Sequence, residues 1–528
     1  MNKNVSNSIF HVAIPAVILL FLSMAIRIPY LHLVPPWSAG NENFLALEIL
    51  QGHRPLTNQN PHLGALSPYI IALAFAVAGV NPWTPRLVFL IFGLATVLLT
   101  WRLGSLTGSR RSGFLAGVLM SAAWYHVVFT SHFPWSNSLT PFFTMAFLSV
   151  FYCVIKERTH PLSKSGALVL FLAAGLLFGL GTQTHPEMIT LLPAVILLMA
   201  VRDHHPVKWL RSKAPWLMAL GGIVGYGNMI WYNILHRGRS VSFGLSYPEY
   251  ALTKEYTATS VAENYWQEFL YLPRIILGFW DDAIPWSEYA RYGVLWLFWL
   301  FVLVGTVISW RRKQYLVPAA FWSMFLIVPA INSNYTLHLG RYLVFMFPTA
   351  LILVSEALNL GMSLKTPVWL ARISKLVFVC LFALLFLIPV FRIKDYYRHC
   401  EITGKTRERY FFLVDLLKTS ILKNPLVLLD EDTRETSDFH HFLRENRFEC
   451  HVVKFKDARK QGADLKEFVA RSIQVKGNEN LDGIILILSP STRRFVLSQY
   501  PDSAFLGQID ARFENTIADF YRVYQINS

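Results

Sequence analysis

Residues 84–130 read TPRLVFLIFGLATVLLTWRLGSLTGSRRSGFLAGVLMSAAWYHVVFT. Two apolar runs, each close to the length that crosses a hydrocarbon core of about 30 Å at about 1.5 Å per residue, flank a turn carrying Arg102, Arg110 and Arg111. A pair of apolar helices around a basic turn is the pattern of a membrane hairpin whose turn faces the cytoplasm. Similar runs recur from Ile9 to Val390, and none follows in residues 393–528. With 54% hydrophobic and 15% charged residues, and a mean hydropathy of +0.38, the 528-residue chain is composed for lipid as its solvent.

The formal charge of +15 could suggest a nucleic-acid binder. Basic and acidic residues nearly balance after Val390, however, so the excess belongs to the membrane part. There it is spread over short loops and not gathered into one groove-lining patch, which argues against nucleic acid as a partner. The four cysteines, Cys153, Cys380, Cys400 and Cys450, lack the spacing of a zinc site. Cys400 and Cys450 could pair only in an oxidising compartment, and sequence does not supply their separation.

Charge threads the chain through the membrane. The basic loops are 102–111, 156–164, 202–213, 311–313 and 365–375, and between them lie the poorly basic connections 131–137, 184–187, 236–288 and 332–341. The two classes alternate, so the basic set is placed in the cytoplasm and the other set outside. The stretch Leu63 to Val80 breaks this order if it crosses, and it holds Gly64, Pro68 and Gly79. It is therefore expected to lie at or partly in the outer interface. The spans are then 9–31, 84–104, 113–130, 138–155, 165–183, 186–201, 214–236, 291–310, 315–331, 340–361 and 373–392. This describes an α-helical polytopic membrane protein of about eleven transmembrane helices plus juxtamembrane helices. The first span is read as retained, because no small-residue cleavage site follows it. The N-terminus is placed in the cytoplasm and the C-terminus outside.

Residues 1–392 form the multi-span domain, and residues 393–528 change character. Apolar runs at Leu426–Leu429, Cys450–Val453, Gly483–Leu488 and Phe520–Ile526 alternate with amphipathic stretches at 410–422 and 465–473. That pattern predicts a small α/β extracytoplasmic domain. No phosphate loop, catalytic triad or metal motif is visible in it, so it is assigned a supporting or acceptor-recognition role.

With this threading the polar residues that need explaining gather on the outer side. The first outer loop carries Asn41, Glu42, Glu48, His53, Arg54, Asn60 and His62. Other outer connections add His132, His185, Glu187, Asp281, Asp282, Glu288, His338 and Arg341. A carboxylate there can remove a proton from an acceptor hydroxyl, and an arginine can hold a phosphate through two parallel hydrogen bonds. Taken singly, Glu48, Asp281, Asp282 and most of the histidines fit a solvated or interfacial position as well as a functional one. Arg341, just inside a span after Gly340, needs a partner or a role.

The order of these features resembles the GT-C membrane glycosyltransferases, specifically the group of protein O-mannosyltransferases and lipid A aminoarabinose transferases, glycosyltransferase family 39-like. GNENFLALEILQG is similar to that family's acidic first loop, and the segment from Pro85 to Asn137 to its second and third spans, with Arg86 at the opening. HLGRYLVFMFPTALIL is similar to its Arg-Tyr motif, with Arg341 and Tyr342 matching. The segment NPHLGALSP stands in altered form where the family has a His-Pro-Pro-like sequence, so that His62 is the matching position. The resemblance implies juxtamembrane helices in the first loop. It also implies transfer of a hexosyl or pentosyl group, usually with inversion, from a polyprenyl-phosphate donor to protein, lipid or glycan at the outer face of the cell (inner) membrane.

The family's leading loop Asp corresponds here to Asn41, whose amide is no base, while the following Glu is kept as Glu42. Three readings stay open: Glu42 takes the role, the base is another carboxylate such as Glu48, Glu187 or Asp281, or the chain is an inactive scaffold. The resemblance gives Glu42 as acceptor-activating base, Asn41 as an orienting group, and Arg341 with His338 as the donor-phosphate site. Tyr342, His185, Arg54, Arg86 and His62 assist, and the polyprenyl tail lies along Leu63–Val80. No cofactor is required, because phosphate is already the leaving group, although a divalent metal is compatible. The alternative from another class is a transporter or flippase, for which an internal repeat and mid-membrane charges would speak.

Overall fold

In this computed structural model the described residues are 3–32, 41–58, 60–80, 83–133, 135–156, 164–203, 211–246, 258–279, 288–331, 340–363, 367–402 and the four strands given below. They divide into two compact units, Met1–Leu31 with Leu45–Arg398, and His32–Phe44 with His399–Ser528.

The first unit is a helical bundle. Its helices, and the one that leads into it, are α1 (Lys3–Arg27), α2 (Asn41–Leu50), α3 (Leu66–Ala78), α4 (Trp83–Thr107), α5 (Arg110–Ala122), α6 (Trp124–His132), α7 (Ser136–Lys156), α8 (Lys164–Thr184) and α9 (Leu192–Asp203). After these come α10 (Lys213–Gly225), α11 (Gly227–Leu235), α12 (Arg239–Ser246), α13 (Ala258–Leu277), α14 (Glu288–Arg311), α15 (Leu316–Ile331), α16 (Phe347–Met362) and α17 (Val368–Ile402). Among the described residues seven helical stretches are long and apolar enough to cross a membrane: 12–30, 83–107, 136–156, 166–184, 293–311, 344–362 and 372–398. The bent pair α5–α6 would make an eighth. The protein is a multi-pass membrane protein.

Three of the eleven expected spans are built differently. The segment 186–201 opens as a 3-10 turn, Pro186–Leu191, before α9. The segment 214–236 is interrupted at Tyr226, between Gly225 and Gly227, and α15 has only 16 residues. Helix α3, at 13 residues, reaches about 20 Å, well short of a full core. It lies on the bundle instead: Ile71, Ala72 and Phe75 pack with Ala46 of α2, Phe89 of α4, and Leu139 and Phe143 of α7. The connection 236–288, read from sequence as a loop, contains α12 and α13.

Two of the helix breaks are satisfied by side chains from elsewhere. The α5–α6 axis bends by 59° at Ala123, which freezes out of helical geometry at φ −54°, ψ 110°. Carbonyls at such a break lose their helical donors. The buried Arg27 at the end of α1 supplies one, donating to the Ser121 carbonyl (3.0 Å), to the Ser23 carbonyl (3.3 Å) and to His126 Nδ1 (3.1 Å). At the α10–α11 break the Gln183 side chain donates to the Gly225 carbonyl.

The other end of the bundle is tied by Glu356 of α16, buried to 2% exposure. It accepts from Ser112 Oγ at 2.5 Å and from Arg312 at 2.6 Å. It also fills the space above Gly108, where a Cβ would overlap its carboxylate. Two of the basic turns are thus fastened to one buried carboxylate.

The second unit contains β1 (Pro425–Asp430), β2 (Cys450–Val453), β3 (Gly483–Leu488) and β4 (Arg522–Ile526) in the order β2-β1-β3-β4. β1 pairs in parallel with β2 and β3, Val427 lying opposite Cys450 and Leu428 opposite Leu486. β3 pairs antiparallel with β4, Leu486 opposite Tyr524. All four strands fall on the apolar runs read from sequence. The helices expected at 410–422 and 465–473, and the side chains of Cys400 and Cys450, lie outside the described residues.

Candidate active site

The loop 56–64 is pinned on three sides. Asn58 closes on Leu63 through a backbone hydrogen bond (2.9 Å) and donates from its side chain to Ser136 Oγ at the start of α7 (3.2 Å). Gly64 donates to the Gln183 carbonyl (2.9 Å), and Asn228 donates to the Leu56 carbonyl (2.8 Å). Held this way, His62 is buried against His185 and Arg341. Burial first, and then those two neighbours, push its pKa down to about 3, so the ring stays neutral across the physiological range.

His185 ends α8 in an extended conformation and opens the 3-10 turn, with Pro186 at the first position where no N–H is needed. Its Nδ1 lies 3.4 Å from the Glu187 amide and 3.2 Å from Glu187 Oε2, both residues being 2% exposed. A neutral ring accepts from the amide, and a protonated one donates to the carboxylate. The imidazole edge meets Tyr342, with ring centroids 5.0 Å apart. Arg341 donates to Tyr342 Oη (3.0 Å), and its Cζ lies over two rings, 5.3 Å from Trp135 and 4.9 Å from Tyr342. It lies in the turn after Gly340 (φ +55°) and before the helix, not inside a span as expected. A Cβ on Gly340 would press on the Tyr125 ring at 3.0 Å.

His62, His185, Arg341 and Tyr342, which sequence named, are therefore one cluster, joined by Glu187, Trp135 and Tyr125. One member was missed. Glu268 of α13 is fully buried, and neither carboxylate oxygen has a hydrogen-bond partner among the described residues. Burial, with Glu187 nearby as the second cause, holds its pKa well above the usual carboxylate value. A signal was present: Glu268 shares one face of α13 with Leu272, Ile275 and Ile276, all buried, so it is a lone carboxyl on an apolar stripe.

Glu42 and Asn41 open α2; Glu42 is 5% exposed, and the Asn41 side chain lies outside the described residues. Arg54 and His53 are exposed in the loop after α2, where Glu48 is half-buried. Arg86 donates to the Leu31 carbonyl (2.8 Å) and lies 5.8 Å from the Trp83 ring, joining the end of α1 to α4. His132 packs edge-on against Tyr397 at 5.1 Å. His338, Asp281 and Asp282 lie outside the described residues, as does the Glu288 side chain. Among the described residues no group of three His, Cys, Asp or Glu side chains is placed to hold a metal ion.

An apolar groove of about 430 Å³ runs beside the cluster, between α8, α9, α10 and α11. Its lining includes Thr182 and Ile189, which flank His185 and Glu187 in sequence. The whole arrangement offers a cationic fork, imidazoles and carboxyls within a low-dielectric pocket, which is a place to hold a phosphate and move a proton.

Residues 62–231 match the family model of dolichyl-phosphate-mannose-protein mannosyltransferases. No curated protein sequence matches the chain. Among solved structures, ArnT from Cupriavidus metallidurans in the apo state is 15% identical with a TM-score of 0.59, over 99% of this chain and 98% of that one. The same protein bound to undecaprenyl phosphate gives 15% identity and a TM-score of 0.60, over 98% of each. The apo oligosaccharyltransferase of Archaeoglobus fulgidus is 12% identical with a TM-score of 0.50, over 90% of this chain and 69% of that one. The chain has the GT-C fold of membrane glycosyltransferases, over nearly its whole length in the ArnT arrangement.

Proposed function

We propose that the protein is a glycosyltransferase that moves a sugar from a polyprenyl-phosphate donor to a hydroxyl of a protein, lipid or glycan. The observation that carries this is the cluster of half-buried Arg341 with buried Tyr342, His185 and His62 on a fold shared with an undecaprenyl-phosphate-binding protein. Arg341 has five N–H donors in a planar fork, which suits a phosphate, and its Cζ lies over the Trp135 and Tyr342 rings, which restrict its position. In the reaction the acceptor oxygen bonds to the anomeric carbon on the face opposite the phosphate. The bond to the phosphate oxygen breaks, and the phosphate leaves with the electron pair. The acceptor proton goes to a carboxylate, Glu42 on the family's pattern, with Glu187 as the substitute lying inside the cluster. Asn41 orients the acceptor or the phosphate, His338 assists Arg341, and Arg54 and Arg86 take secondary positions. The polyprenyl tail lies along α3, whose Leu73 and Val77 remain exposed. Catalysis needs no metal for this step, although a divalent cation is compatible with it.

The site faces the outside of the cell (inner) membrane, with the N-terminus in the cytoplasm and the C-terminal sheet domain of residues 393–528 outside. Membrane-impermeant maleimide should then label His53→Cys on intact cells, in a background lacking all four native cysteines, Cys153, Cys380, Cys400 and Cys450, and Arg111→Cys only after permeabilisation. Labelling of Arg111→Cys from outside would invert the threading. A transporter reading is disfavoured by Glu356, a buried charge held in fixed hydrogen bonds at one end of the bundle and not poised along a path.

The direct test reconstitutes the full chain in liposomes with radiolabelled mannosyl, glucosyl and arabinosyl polyprenyl phosphates. Glu42→Gln should lower transfer by about 10²-fold. Transfer that survives this change moves the base to Glu187, and absence of donor binding by the wild type removes the transferase reading.

A further inference from the structure

Helix α13 is laid against the bundle by one face. Asn264 and Glu268 are four residues apart, so they project from the same side. Asn264 Nδ2 donates to the Pro329 carbonyl (3.0 Å), in the last turn of α15 where helical donors run out. Tyr265 Oη donates to the Leu326 carbonyl (2.5 Å) of the same helix. Helix α15 also supports the turn that carries Glu187, through Ser323 Oγ donating to the Thr190 carbonyl (2.5 Å). A shared support thus brings the Glu268 and Glu187 carboxyls into one electrostatic neighbourhood. Glu187 is engaged with His185, whereas Glu268 keeps both oxygens fully buried and without a hydrogen bond among the described residues.

A buried polar group with no partner is costly, and a leucine in its place would extend the stripe of Leu272, Ile275 and Ile276. Keeping a carboxyl there makes sense when a ligand completes it. We propose that Glu268, with Glu187, binds the hydroxyls of the transferred sugar and thereby fixes which sugar is accepted. The proposal rests on the glycosyltransferase reading.

The chemistry of the pair selects the neutral end of the donor. A carboxyl accepts through its oxygens and, when it holds its proton, also donates one O–H. Together they match sugar hydroxyls, which both donate and accept. A phosphate gains nothing from two carboxyls and is drawn to Arg341, which contacts Tyr342, the ring that meets His185. The donor then lies with its sugar toward Glu268 and its phosphate toward Arg341, which leaves the anomeric carbon near His185.

The experiment uses the full chain in liposomes, with whichever of the three labelled donors the wild type transfers and its singly deoxygenated analogues. KM and kcat are measured for Glu268→Gln and Glu268→Leu, together with the affinity for sugar-free polyprenyl phosphate and the melting temperature. KM for the full donor should rise roughly ten-fold with Gln and further with Leu, and the preference over one deoxygenated analogue should disappear. Affinity for sugar-free polyprenyl phosphate should not change, and Glu268→Leu should melt higher than the wild type. Equal loss of affinity for the sugar-free lipid, with a lower melting temperature, would show a purely structural role and overturn the proposal. Intact sugar preference in both variants would overturn it as well. A wild type that binds none of the donors would instead sink the glycosyltransferase reading and this proposal with it.

Discussion

Arg341→Ala should lose transfer by about 10³-fold or more, because a single preorganised donor to developing negative charge is worth about 10² to 10³ and the guanidinium can offer two. The leaving phosphate gains charge as the glycosidic bond breaks, and few groups near it could replace a fixed cation in a buried pocket. Here the fork is set by structure before substrate arrives: its Cζ lies over the Trp135 and Tyr342 rings at 5.3 and 4.9 Å, and Tyr342 Oη takes one N–H at 3.0 Å. Arg341→Lys keeps the charge but not the planar fork, so it should recover only part of the rate. Tyr342→Phe separates positioning from charge. It removes the hydroxyl, keeps the ring against Arg341 and His185, and should cost about ten-fold at most. Radiolabelled transfer at saturating donor distinguishes these cases, and Arg341→Ala activity within ten-fold of the wild type would take the phosphate site away from this residue.

The parts of this molecule that could be read from sequence are those governed by local pattern. The four strands of the C-terminal sheet follow apolar runs, and the Arg110–Ser112 turn begins with a Ser109 capping box that a short polar segment can specify alone. The failure of Leu63–Val80 to make a full span was legible from charge alternation, and α3 is too short to contradict it. What sequence hid depends on partners far along the chain. Nothing in the AAWYH stretch announces a 59° bend at Ala123, since the group that satisfies the broken turn is Arg27, 94 residues before Ser121. Glu268 was lost for the same reason: of the carboxylates in that connection Asp281, Asp282 and Glu288 stood out, and only the docking of α13 on α15 removes Glu268 from water. Of the site residues, His62, His185 and Arg341 were found because charge threading put them on the outer side, and Tyr342 because a family pattern pointed at it, while Trp135 and Tyr125 look like ordinary interfacial aromatics until Arg341 is placed beside them.

Gly179→Leu should abolish the folded state, because a backbone-to-backbone helix seam passes through it. Helices α8 and α10 meet along Gly175 and Gly179 on one side and Gly221, Gly222 and Gly225 on the other. A Cβ at Gly179 would collide with the Gly222 carbonyl, one at Gly175 with Met218, one at Gly221 with Leu172 and one at Gly225 with Leu176, backbone in every case. Glycines four residues apart let two helices approach until their backbones touch, and in lipid such packing replaces the hydrophobic drive that water would supply. A side chain facing a carbonyl cannot be relieved by a rotamer change, so the helices must separate, at about 3 kcal/mol or more. Separation would also remove the wall of the apolar groove, which Gly175, Gly179 and Gly222 line, and pull the Gly225 carbonyl from Gln183, which ties this pair to the His62 loop through Gly64. Gly179→Ala should lower the melting temperature measurably, and Gly179→Leu should fail to give a monodisperse peak in detergent. Gly227→Ala is the matched control: nothing lies within 4 Å of its added carbon, so its melting temperature should stay at the wild-type value. A Gly179→Leu protein that melts with the wild type would mean that the two helices do not touch along this seam.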